Sequence, residues 1–222
     1  AIGRSALRVL NHTTATDAHN VAVGYFSGIA MTTGRYNTLT GSLSGDALTD
    51  ADFNVAIGNE ALTTDTLGSR SVAVGYASLF TQNFTTATDS HNTAVGYFAG
   101  KAVTTGVGNT LLGGLAGDAL TDADFNVAVG FQALSTDTLG SRNTALGVNA
   151  LEIQNFTTAT DSYNTAIGAL AGSRISTGTL NTFVGGEAGD GTDDGEGNVA
   201  VGYLALSGNC GNDNTVVGKS AA

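Results

Sequence analysis

Three groups of carboxylates are the places where this chain could most readily do chemistry. Asp46, Asp50 and Asp52 lie close together, Asp118, Asp122 and Asp124 repeat the pattern, and Asp190, Asp193, Asp194 and Glu196 form a variant of it. Oxygen-rich loops of this kind can hold calcium. Their spacing matches neither an EF-hand nor a Gly-Gly-x-Gly-x-Asp roll, and Asp in a turn ordinarily bonds its own backbone. No cofactor is therefore expected, calcium at Asp190, Asp193, Asp194 and Glu196 being the one metal candidate. His12, His19 and His91 are the only histidines. His19 and His91 share a repeat position that Tyr163 takes in the next copy, an exchange a metal ligand would not tolerate, so they are read as surface or stacking groups. Cys210 stands where equivalent coils have Leu67 and Leu139 and is read as a small buried hydrophobe. Signatures of zinc proteases, P-loops, serine hydrolases and dinucleotide folds are absent, so no catalytic residue is expected and the chain is read as a non-enzyme.

Recognition is a second chemistry these residues could support. The segment Asn11-His12-Thr13-Thr14-Ala15-Thr16-Asp17 returns, slightly changed, at 83–89 and 155–161. Insertions in stacked repeats stand out from one face. His12, Phe84 and Phe156 offer apolar contact there, while Thr14, Thr86, Thr158, Asp17, Asp89 and Asp161 offer hydrogen bonds to sugar hydroxyls of a host-cell glycan, or to a protein receptor. The competing reading is that these groups face a neighbouring chain. Tyr25, Tyr76, Tyr97 and Tyr203 directly follow repeat glycines and form an aromatic strip, read chiefly as packing between chains and alternatively as a saccharide platform.

What must position these groups is an internal repeat. Glycine recurs at 3, 24, 41, 58, 75, 96, 113, 130, 147, 168, 185, 202 and 218, with spacings of 21, 17, 17 and 17 that make a 72-residue super-repeat. The chain is one segment, 1–222, with super-repeats at 3–74, 75–146 and 147–218. Val, Ile, Leu or Thr mostly stand one and three residues before each glycine, the alternation of a short strand. A second short strand is expected after the glycine, and Gly34, Gly68, Gly106, Gly140, Gly178 and Gly211 mark a turn seven residues before the next one. The fold class predicted is all-β: a parallel β-solenoid of about thirteen coils, each of 17 or 21 residues, ~58 Å long at ordinary strand spacing. Four residues before the glycine, Asn20, Asn37, Asn54, Asn92, Asn109, Asn126, Asn143, Asn164, Asn181, Asn198 and Asn214 are expected to form a structural ladder. Three residues after it stands always Ala or Ser, so packing there is tight.

Composition sets the outer limits. The chain has 32 glycines, no proline and a net charge of −11, so nucleic acid is excluded as a partner by repulsion. No apolar run reaches the length of a membrane span, so no membrane insertion of this segment is expected. The opening Ala1-Ile2-Gly3 matches the middle of a repeat, and the chain is expected to be an excerpt of something longer. Coils this rich in Ala, Gly, Ser and Thr bury little, so further copies of the chain are the expected partners.

The units Asn54-Val55-Ala56-Ile57-Gly58-Asn59-Glu60-Ala61-Leu62 and Asn143-Thr144-Ala145-Leu146-Gly147-Val148-Asn149-Ala150-Leu151 resemble the head repeats of trimeric autotransporter adhesins. They are similar as well to repeats of phage and bacterial tail-fibre proteins, and the likeness runs through essentially the whole chain. It implies a left-handed β-roll, a homotrimer with two further copies around a common axis, and an extracellular place on a cell surface or virion. The function this implies is attachment to a cell or surface by a rigid shaft that presents repeated loops. The alternative is a purely structural filament or surface-layer protein without a receptor.

Overall fold

A computed structural model describes residues 1–221. Among them there is no helix, and the chain winds as a parallel β-solenoid of about twelve turns. One twelve-stranded parallel sheet runs its length, each strand three residues long, from Val21–Val23 to Thr215–Val217. Ile2 extends it by a single bridge to Val23. Register is fixed residue against residue, as in Thr110↔Val127, Leu111↔Ala128 and Leu112↔Val129, so identical repeat positions stack in columns.

The glycine column sets this register. Its members have φ between +127° and +144°, and a Cβ on Gly113 would lie 2.4 Å from the Gly130 carbonyl oxygen. Only glycine allows both the dihedral and the approach of the next coil. The residues that follow do not form the expected second strand. They turn through left-handed positions instead, such as Phe98 and Gly100, or Gln132 and Leu134. Their amides still bond coil to coil, alternately back and forward: Phe98 to Tyr76 O at 3.0 Å and Gly100 to Ala116 O at 3.0 Å. Those bonds offset the ~1–2 kcal/mol that a left-handed L-residue costs. Among the described residues the further strand pairs are Gly68–Ser69 with Thr88–Asp89 and Gly140–Ser141 with Thr160–Asp161.

The core is one residue wide and filled by exchange between columns. The middle residue of each strand points inward and is Ala in eight of the twelve strands, Leu39, Leu111 and Phe183 in three, and Val216 in the last. Across from those three lie Gly28 and Gly45, Gly100 and Gly117, Gly172 and Gly189, where a Cβ would press on the larger side chain at 2.5–3.0 Å. Where the strand supplies Ala56, Ala73, Ala128 or Ala145, the opposite corner supplies buried Leu62, Leu79, Leu134 or Leu151. Volume lost in one column is restored in the other, as close packing requires. This is the physical content of the 72-residue period. With Ala directed inward, the larger neighbours at both ends of each strand, mostly β-branched, point outward, leaving Val21 50% and Leu146 43% exposed.

Candidate functional site

The second and third inserted segments are positioned by polar groups that the core column seven residues after the glycine holds in their coils, whereas the first copy has Leu10 at that place. Half of the coils place an apolar side chain there, among them Met31, Leu48, Val103, Leu120 and Ile175, all fully buried. Before the insertions the column carries buried Asp65 with Gln82, and Asp137 with Gln154. Asp65 Oδ1 accepts from the amides of Gly68 at 2.9 Å and Phe84 at 3.2 Å, while Oδ2 accepts from Gln82 Nε2 at 2.6 Å. Asp137 repeats this with Gly140, Phe156 and Gln154 at 3.0, 3.1 and 2.6 Å. Burial raises both carboxyls above their ordinary value of 3.8, against the lowering effect of those same bonds. Each glutamine passes the link onward, accepting from Asn92 or Asn164 through Oε1 at 2.9 and 2.8 Å.

These anchors correct the expectation for the loop aromatics. Phe84 and Phe156 are only 5% and 7% exposed, so they are packed into the coil beside Gly68 and Gly140 and offer no contact face. His12, at the same place in the first copy, is half-buried, with Nε2 enclosed and unpaired. The polar members stay outside. Thr14, Thr86, Thr158, Asp17, Asp89 and Asp161 are exposed. Thr88 and Thr160 bond the carbonyls of Thr86 and Thr158 at 3.0 and 2.9 Å, closing a tight turn that holds the Thr tip in place. Asp89 pairs with Arg70 at 2.9 Å and Asp161 with Arg142 at 3.0 Å. The two arginines lie over the rings of Phe53 and Phe125, 4.9 and 5.1 Å from the centroids. Successive loops stand four coils, or ~19 Å, apart along one edge of the rod.

The asparagine column is built as hydrogen-bonded rungs. Asn126 is typical: its amide donates to Gly140 O at 2.9 Å, and its carbonyl accepts from Asn143 N at 2.9 Å. The same pattern links Asn20 to Gly34 O and Asn37 N, Asn109 to Ala123 O and Asn126 N, and Asn181 to Gly195 O and Asn198 N. Asn37, Asn54, Asn92, Asn164 and Asn214 each donate to a turn carbonyl as well, whereas Asn143 donates to Asn126 Oδ1 and Asn198 Nδ2 is enclosed without a partner. One rung is not asparagine. Ser71 stands between Asn54 and Asn92, and its hydroxyl is held by Gln82 Nε2 at 2.9 Å. Sequence reasoning missed both the serine and the buried Asp–Gln pairs. The signal was present, as polar residues interrupting an otherwise apolar column.

The acidic groups are largely engaged with their own surroundings. Asp50 and Asp122 accept from Thr33 and Thr105, each at 2.6 Å, and Asp52 and Asp124 accept from the amides of Arg35 and Val107 at 2.7 and 2.8 Å. Asp193 accepts from Ser176, and the Glu196 amide is held by Asn212. Asp190 keeps one enclosed, unpaired oxygen, and burial first, then nearby Glu187, raises its carboxyl above 3.8. Among the described residues no three of His, Cys, Asp and Glu converge as a metal-holding group, so Asp190, Asp193, Asp194 and Glu196 are not gathered around one point. Cys210 is half-buried, 3.3 Å from the Thr192 hydroxyl, at the edge of the core.

No family model matches this chain, and neither a curated protein nor a solved structure matches it.

Proposed function

We propose that this chain is a shaft segment of an extracellular attachment fibre. In it three copies, each a left-handed roll, share an axis and hold their inserted loops outward toward a cell surface. The observation that carries this reading is the outer face of the long sheet. In all twelve strands the first and third residues are Val, Thr, Ile or Leu, from Val21 and Val23 to Thr215 and Val217, without one charge. A continuous charge-free strip ~53 Å long, with Val21, Ile57, Val127, Leu146 and Val201 exposed, is the kind of surface that marks an interaction face. Its straight columns fit the same columns of another copy. The Thr-tipped loops lie away from that face, tied down by Arg70 and Arg142, and carry the hydroxyls and carboxylates suited to a glycan.

Light scattering of the purified chain, without any added trimerising segment, tests this. A discrete trimer is expected, and replacing Ile57 and Leu146 by Lys should return it to monomers by burying charge in the interface. A folded, soluble wild-type monomer would rule out the shared axis, and open-ended lateral assemblies would transfer the reading to a structural filament.

A further inference from the structure

One place breaks the repeat without serving the fold. A cleft of about 240 Å³ opens at the corner after the glycine, lined by Glu60, Tyr76, Ala77, Phe80, Phe98 and Lys101. The rings of Tyr76 and Phe98 meet at 48° with centroids 5.3 Å apart, making a V-shaped apolar wall, and Tyr97 stacks on Tyr76 at 5.6 Å. Lys101 Nζ lies 4.3 Å from the Phe98 centroid. Neither Glu60 nor Lys101 belongs to any of the three ion pairs among the described residues. Seventy-two residues on, these positions are Gln132, Val148, Asn149, Glu152, Leu170 and Ser173: every aromatic and both charges are gone. Yet the surrounding columns, the Asp–Gln anchor and the asparagine rungs are kept in both copies. The coil therefore does not need these groups in order to stack.

We propose that this cleft binds a single pyranose ring of a surface glycan, which deepens the attachment reading above and rests on it. A sugar's C–H face fits the apolar wall of Tyr76 and Phe98, and its hydroxyls donate to Glu60 and accept from Lys101. The alternatives fit worse on physical grounds. An apolar aromatic guest would desolvate two unpaired charges at a cost. An anion meets Glu60 and a chain of net charge −11, and a cation meets Lys101. The volume lies below that of sites built for drug-sized ligands and suits one ring.

Saturation-transfer NMR on the full chain tests this with methyl glucoside, galactoside, mannoside and N-acetylglucosaminide as probes, and N-acetylphenylalaninamide as a competitor class. Millimolar binding of at least one pyranoside is expected, with transfer strongest to its ring C–H protons. Glu60→Gln, Tyr76→Val and Phe98→Leu should each weaken it about tenfold, equal to ~1.4 kcal/mol. Each variant installs the residue that the next super-repeat carries at that position, so the fold tolerates it, and an unchanged circular-dichroism spectrum checks this. No transfer to any of the four pyranosides, unchanged binding in all three variants, or transfer only to the phenylalanine amide would overturn the proposal. Light scattering on the same samples separates the two readings. A trimer without pyranoside binding removes the cleft alone, and a monomer that binds removes the shared axis alone.

Discussion

Asn126 shows how much one buried side chain carries in this architecture. Its amide caps the Gly140 carbonyl and its own carbonyl receives the Asn143 amide, so both the turn and the strand start of the next coil depend on it. Asn126→Ala strands two buried backbone groups, each worth ~1–3 kcal/mol. A loss of about 3 kcal/mol is expected from equilibrium urea unfolding of the folded assembly. Gly113→Ala should be worse, because it adds a Cβ within 2.4 Å of a carbonyl at φ +139°. Such a chain is expected to lose its β-sheet circular-dichroism signal below the wild-type melting temperature. Both columns were legible in the sequence, since a buried amide and a glycine held near φ +139° against the next coil have few substitutes. Ser71 was not, because its missing carboxamide is replaced from Gln82, eleven residues away.

The inserted segments are elements fastened by a buried acid, which gives them a pH dependence. Asp65 and Asp137 have folded values raised by burial above 3.8. A raised carboxyl takes up its proton more readily in the folded state, so its contribution is full below the ordinary range near pH 4 and is lost as pH rises through the raised value. Thermal stability of the assembly should therefore fall as pH rises from about 4 through the raised values, and Asp65→Asn with Asp137→Asn should flatten that slope. A slope unchanged in the double variant would assign it to surface repulsion instead. Why the loop tips read as aromatic from sequence is now clear. Asn83-Phe84-Thr85-Thr86 looks like a polar insertion with one exposed ring, and nothing in that string says that the preceding Asp65 draws the Phe84 amide inward. The expected second strand failed for a related reason. Hydrogen bonding between coils requires repeated geometry and is met by left-handed turns as well as by extended chain. Alternation along Val127-Ala128-Val129 marked two faces correctly, but only the one-residue width of the core decides that Ala is the inner one.

For the molecule as a whole, the super-repeat is a unit of packing as well as of sequence. Leu39 with Gly28 and Gly45, then Ala56 and Ala73 with Leu62 and Leu79, completes one cycle, and Leu111 begins the next. Removing residues 75–146 joins Val74 to Gly147, which sits in the same phase as Gly75. This shortened chain is expected to fold with every interior contact of its class retained, and small-angle scattering should show a rod shorter by ~19 Å. Removing seventeen residues instead would set Leu against Leu, or Gly against Ala, and is expected to lower the melting temperature by several degrees. The same phase rule has a genetic consequence. Recombination between the related blocks that encode the super-repeats would add or delete whole ones in register, so the reach of such a rod would change in steps, without any new core having to evolve.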